Sequence, residues 1–140
     1  MHYFDTSVLV AYYCPESISD RVEEIMLQSD QPAISQLTEV ELASAVARKI
    51  RENSLSRQDG NKILNQFQSH LDRRLFRWIA IEEHHYRTAK NWISQFVTPL
   101  RTLDALHLAL AAAESLPLVT ADRQLAGAAT LFGVEVIELQ

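Results

Sequence analysis

The chain has 140 residues, 47% of them hydrophobic and 22% charged, proportions of an ordinary globular protein that exclude a disordered chain. Three glycines and four prolines exclude a collagen-like or low-complexity architecture, and a lone cysteine, Cys14, excludes an internal disulfide. The net charge of −5 is unevenly divided: residues 44–101 hold 11 Lys and Arg against 5 Asp and Glu, whereas the two flanks together hold 2 against 13.

Short apolar runs alternate with longer stretches of helical period. Tyr3 and Phe4 form a first strand ending near Asp5, followed by a helix over residues 7–13 that stops before Pro15. Residues 17–29 are helical, with Ile18, Val22, Ile25 and Met26 at i, i+4, i+7 and i+8. A second strand over 32–35 leads into a helix over 36–52. Another helix over 56–75 carries Ile63, Leu64, Phe67 and Leu71 on one face. A third strand over 76–81 precedes a helix over 83–97 that turns Tyr86, Ala89, Ile93, Phe96 and Val97 inward. A helix over 102–115, a strand over 116–120, a helix over 122–131 and a strand over 134–139 complete the order. No repeat or linker divides the chain, so one domain over 1–140 is expected.

Apolar strands separated by helices predict an α/β protein whose parallel sheet is covered on both faces. Sites in such sheets lie at the carboxyl ends of strands, where strand order reverses. That rule singles out Asp5, Thr6 and Ser7 after the first strand, and Thr120 and Asp122 after the fourth. No run of 18 apolar residues occurs, because 103–119 is interrupted by Asp104, His107 and Glu114. The opening Met1-His2-Tyr3-Phe4-Asp5 lacks the basic and apolar regions of a signal peptide. A soluble, cytoplasmic protein without membrane association is therefore expected.

The carboxylates divide by context. Asp5 and Asp122 each end an apolar strand and precede a helix, a position that an ordinary N-cap also occupies. Asp104 lies in a helix that is apolar nearly all round, with His107 and Glu114 as its other main polar residues at i+3 and i+10. A charge in so apolar a helix is costly to bury unpaired, so Asp104 is expected to face a polar cavity. Glu41 shares a helix face with Ser44 and Arg48, away from Val40, Ala43, Ala47 and Ile50, and reads equally as a solvated glutamate. His107 reads as a satisfied core or cavity-edge histidine, and His84 and His85 as surface residues at a helix start. Adjacent histidines make a poor chelating pair, no Cys/His cluster has zinc-site spacing, and Cys14 has no supporting catalytic constellation.

Four segments in order carry a resemblance. They are Tyr3-Phe4-Asp5-Thr6-Ser7-Val8-Leu9, the stretch from Ser35 to Glu41-Leu42, Arg101-Thr102-Leu103-Asp104-Ala105-Leu106-His107-Leu108-Ala109, and Leu118-Val119-Thr120-Ala121-Asp122. Together with the closing Phe132-Gly133-Val134-Glu135-Val136-Ile137, they resemble PIN-domain ribonucleases, most closely the VapC-type toxins of prokaryotic toxin–antitoxin pairs. Leu125 departs from the pattern, standing where many relatives carry an aromatic residue, which concerns packing rather than chemistry. The resemblance implies a three-layer α/β/α fold with a five-stranded parallel sheet. It implies an acidic Mg²⁺ or Mn²⁺ site to which Asp5, Glu41, Asp104 and Asp122 correspond, an RNA substrate, a cognate antitoxin and a homodimer.

Physical chemistry supplies reasons for those residue types. Mg²⁺ takes oxygen ligands, commonly a few carboxylates completed by water and substrate phosphate. Thr6, Ser7 and Thr120 are placed to orient the carboxylates through hydrogen bonds. The basic middle would supply phosphate contacts from residues such as Arg48, Lys49 and Arg101, or it is simply a solvated face. Other functions compete. A phosphoacceptor signalling domain would want an Asp after the third strand and a late Lys, but Glu82-Glu83 stand there and no Lys follows Lys90. A solitary RNA-processing nuclease, and a catalytically silent binding module of the same fold, remain alternatives to a toxin.

Overall fold

The computed structural model describes all residues, Met1–Gln140, as five strands and seven α-helices. The first half runs β1 (Tyr3–Phe4), α1 (Thr6–Tyr13), α2 (Ser19–Gln28), β2 (Ala33–Ser35), α3 (Gln36–Arg51) and α4 (Arg57–Asp72). The second half runs β3 (Arg77–Ile79), α5 (Glu83–Ile93), α6 (Thr102–Ala113), β4 (Leu118–Thr120), α7 (Arg123–Leu131) and β5 (Val136–Glu138). Every element read from the hydrophobic period is present, most of them shorter by a residue or two at the ends.

The strands form one all-parallel sheet in the order β3-β2-β1-β4-β5. Tyr3 pairs with Ala33 on one side and Leu118 on the other, while Phe4 pairs with Val119. Because successive strand residues point to opposite faces, these rows feed two separate cores. Tyr3, Ala33, Ile79 and Leu118 pack with residues of α5, α6 and α7. Phe4, Ile34 and Val119 pack with residues of α1, α2, α3 and α4. The result is the three-layer α/β/α arrangement. Chain order steps outward from β1 to β2 and β3, then returns past β1 to β4 and β5. The reversal therefore falls between β1 and β4, and the crevice above their carboxyl ends is the expected place for a site.

Helix α6 shows why the sheet is well covered. All seven residues of Ala105–Ala111 are buried, and the helix's Leu and Ala side chains pack into the core formed by Tyr3, Ala33 and Leu118 with α5 and α7. On the other face α3 buries Thr38, Leu42 and Val46 and leaves Val40 exposed. It approaches α4 closely at Gly60, where an added Cβ would stand 2.7 Å from Ile50 Cδ1.

Three expectations fail on α5. The helix ends at Ile93, and Phe96 adopts a left-handed φ of 57°, so the chain leaves the helical path before 96 and 97 can turn inward. Phe96 is 88% exposed and Val97 58%. Tyr86 is also more exposed than buried, so the apolar contacts of this helix fall to Ala89, Trp92 and Ile93. His85, expected at the surface, is buried: its Nδ1 accepts the Glu82 backbone N–H at 2.9 Å and closes the first turn. Burial, reinforced by the neighbouring His84, holds its pKa below the ordinary value.

Candidate active site

The site is built where β1 and β4 end. Asp5 follows β1 directly and caps α1, its Oδ1 accepting the Val8 N–H at 3.3 Å. Ser7 Oγ donates to the same oxygen at 2.6 Å, and Thr120 Oγ1, at the end of β4, donates to Oδ2 at 2.5 Å. Those hydroxyls are fixed in turn: the Ala121 N–H donates to Ser7 Oγ and the Asp122 N–H to Thr120 Oγ1, each at 3.0 Å. Asp5 is thus a buried carboxylate in a designed cradle. Burial pushes its pKa up, against the hydrogen bonds from Ser7, Thr120 and the Val8 N–H.

Asp122 caps α7, and its Oδ1 accepts the N–H groups of Gln124 and Leu125 at 2.8 and 3.2 Å. Its Oδ2 accepts none. Capping and a place in the site are compatible for both aspartates, since each cap uses one oxygen.

Asp104 lies in the first turn of α6, half-buried and without a hydrogen-bond donor. Burial is the first cause of its raised pKa. The charges of Asp122, Asp5 and Glu41 push the same way. The carboxylates after β1, on α3 and in the β4–α7 turn therefore all act on Asp104.

Glu41 reaches this neighbourhood from the second turn of α3. Its Oε1 accepts from Thr6 Oγ1 at 2.7 Å and stands 2.5 Å from His107 Nε2. Burial alone would raise its pKa, but the hydrogen bonds from His107 and Thr6 hold the carboxyl below its ordinary value. It is not a free solvated glutamate. His107 in turn meets the Tyr3 hydroxyl at 2.7 Å through Nδ1, and that hydroxyl lies 2.9 Å from Ser35 Oγ. Tyr3 and Ser35 belong to the site although neither is acidic. Their only sequence signal is a polar tip on an otherwise apolar strand row. Glu114, on the same helix stripe as Asp104, points elsewhere and pairs with Arg77.

The donor set is chemically suited to a hard divalent cation. Asp104, Oδ2 of Asp122 and Oε2 of Glu41 are carboxylate oxygens with no hydrogen bond, and mutual repulsion among the acids would be relieved by a positive ion. No three Asp, Glu, His or Cys side chains stand close enough to enclose an ion by themselves. A cation that keeps several waters and borrows substrate phosphate oxygens needs only one or two protein carboxylates, so the residues fit Mg²⁺ or Mn²⁺ better than a fully protein-ligated metal.

Comparison with known proteins bears on the fold and the family. The PIN domain matches residues 2–131. No curated protein sequence matches the chain. Among solved structures, the VapBC2 complex of Rickettsia felis, bound to a DNA fragment from its promoter, is similar at 20% identity with a TM-score of 0.71, covering 100% of both chains. VapC20 of Mycobacterium tuberculosis, a Sarcin-Ricin loop cleaving toxin, is similar at 11% identity and TM-score 0.72, over 91% of this chain and 95% of that one. A toxin–antitoxin complex from Klebsiella pneumoniae is similar at 20% identity and TM-score 0.68, over 91% and 92%. At these identities the likeness is one of fold, and the match over 2–131 carries the assignment: the chain belongs to the PIN-domain family.

Proposed function

We propose that this PIN-domain protein is a Mg²⁺- or Mn²⁺-dependent endoribonuclease, the toxin of a type II toxin–antitoxin pair. The observation that supports the reading is the placement of Asp5 and Asp122 at the ends of β1 and β4, beside a half-buried Asp104 whose pKa is raised first by burial and then by the charges of Asp122, Asp5 and Glu41. One or two of Asp5, Glu41, Asp104 and Asp122 would hold the ion directly, and the others would act on it through its waters. When bound, the ion polarises a phosphoryl oxygen and lowers the pKa of an attacking water.

The chain's own residues supply orientation. Ser7 and Thr120 lock the Asp5 carboxylate, and Thr6 and His107 lock Glu41. No protein nucleophile is needed: Cys14 is buried, and burial raises its thiol pKa. Arg101, exposed three residues before Asp104, would meet a substrate phosphate on this reading. The toxin assignment is supported by neighbours that are themselves toxin–antitoxin complexes. A second copy of the chain and a cognate antitoxin are the partners this reading expects. None of the helices is long and apolar enough to cross a membrane.

The test is incubation of purified protein with structured RNAs, followed by mapping of cut ends. Cleavage is expected with Mg²⁺ or Mn²⁺ and lost in excess chelator. Cutting that persists undiminished in chelator would overturn the metal reading. A metal-binding protein that cuts no RNA would favour the silent binding module.

A further inference from the structure

A buried line of side chains runs from Ser35 through Tyr3 and His107 to Glu41, joining β2, β1, α6 and α3. Tyr3 and Ser35 are fully buried, and His107 is 2% exposed, so no bulk water can replace a missing partner. No buried side-chain nitrogen or oxygen in the protein lacks a hydrogen bond. The proton count along the line is constrained. An ionised Glu41 can only accept, and Thr6 already donates to Oε1, so at 2.5 Å His107 Nε2 must carry a hydrogen. In the neutral imidazole Nδ1 is then an acceptor, which the Tyr3 O–H satisfies, while Ser35 donates to the Tyr3 oxygen. Each bond then has one donor and one acceptor.

We propose that Tyr3 is a positioning residue acting through His107: its hydroxyl holds the imidazole so that Nε2–H pins Oε1 of Glu41 and leaves Oε2 without a hydrogen bond, available to a divalent cation. The inference rests on the reading of Glu41 as an ion-holding carboxylate. Tyr3→Phe preserves the packed ring and removes only the hydroxyl, leaving the His107 Nδ1 lone pair buried without a donor. The ring then loses what fixes its orientation, and Glu41 loses its anchor. Partners that orient a metal-ligating group in this way typically change metal affinity about 10–100-fold when removed.

Two readouts test this, and the first needs no ion. In metal-free protein labelled at histidine nitrogens and glutamate carboxyls, the wild type should show a His107 ring with hydrogen on Nε2. Tyr3→Phe should shift both the His107 nitrogens and the Glu41 carboxyl carbon; an unmoved Glu41 signal would overturn the proposal. The second readout is Mn²⁺ affinity, measured by water-proton relaxation, for wild type, Tyr3→Phe, Glu41→Gln and the double variant. Tyr3→Phe should weaken binding about 10–100-fold in wild type but by less than about 2-fold when Glu41 is already Gln, since the effect passes through Glu41. Equal losses in both backgrounds would mean a merely structural tyrosine and overturn the proposal.

Wild-type protein that takes up no Mn²⁺ would sink the metal reading, and with it the ion-holding half of the inference; the carboxyl and ring signals would still decide the positioning half. Should Tyr3→Phe fail to fold, His107→Gln and His107→Ala decide the matter. Gln offers an N–H near the Nε2 position and should bind Mn²⁺ more tightly than Ala, whereas equal weakness would count against the pinning contact.

Discussion

Asp104 and Glu41 are both partly buried, yet they are pushed in opposite directions, because Glu41 has hydrogen-bond donors and Asp104 has none. Asp104 has no hydrogen bond, and burial together with the charges of Asp122, Asp5 and Glu41 raises its pKa. The metal-free folded state then binds the proton more tightly than the unfolded chain. Stability falls as pH rises from the ordinary carboxylate range through the raised value. Asp104→Asn removes that penalty, so at neutral pH, in chelator, the variant should melt at or above wild type while RNA cleavage is abolished. A variant that melts lower and still cuts would return Asp104 to an ordinary helix-terminal role. Asp122→Ala should behave differently, costing about 0.5–2 kcal/mol of stability through the lost α7 cap. These aspartates stand out in the sequence because each is a lone charge at the end of an apolar strand or in an apolar helix. Tyr3 and His107 do not stand out as a pair. Their bond spans 104 positions, and only the packing of α6 against β1 brings the two tips together.

At the level of elements, hydrophobic period located all twelve because each buries a definite face, but it could not locate the end of α5. Phe96 continues the apolar spacing of that helix, yet the backbone turns left-handed at the same residue and delivers the ring to solvent. Phe96→Ser should therefore change stability by no more than about 0.5 kcal/mol. By contrast Phe67→Ala, in the α1–α4 core, should cost about 3–5 kcal/mol. Denaturant melts of both variants check the difference, and a large loss at Phe96 would place the ring in a core. A pH effect belongs to the joint between α1 and α4, where the Tyr13 hydroxyl lies 2.6 Å from His70 Nδ1. Burial, with Arg73 adding to it, lowers the His70 pKa below its ordinary value of 6.5. The unfolded chain then binds the proton more readily, so stability rises with pH and is lost as pH falls through 6.5 toward the lowered value. His70→Gln should flatten that part of the stability profile, and an unchanged slope would show that the joint does not titrate.

Across the whole molecule the basic residues of the middle segment separate into two ends. Arg74 and Arg77 stand at the amino ends of the strands, where the Gln31 amide donates to the Arg74 carbonyl and the Arg77 N–H to Pro32. Arg48, Lys49 and Arg51 lie in the last turn of α3, so Arg48 is roughly 10 Å along the helix from Glu41. Arg101 alone opens the helix that carries Asp104. Charge counting along the chain cannot make this distinction, because residues 44–101 pass from one end of the sheet to the other. Arg101→Ala should lower the salt dependence of single-stranded RNA binding by about 0.7 in log–log slope per lost phosphate contact, while Arg74→Ala leaves it unchanged. The reverse result would move the RNA path to the opposite end of the sheet. Whether the four carboxylates form one ion site is read from the Mn²⁺-induced rise in melting temperature. Wild type at an ion concentration of about 100 times Kd should gain roughly 2.7 kcal/mol, whereas Asp5→Asn, Glu41→Gln, Asp104→Asn and Asp122→Asn should each gain markedly less at the same concentration. If all four amide variants rise with Mn²⁺ as far as wild type does, the carboxylates are separate caps and surface groups, and the account is wrong.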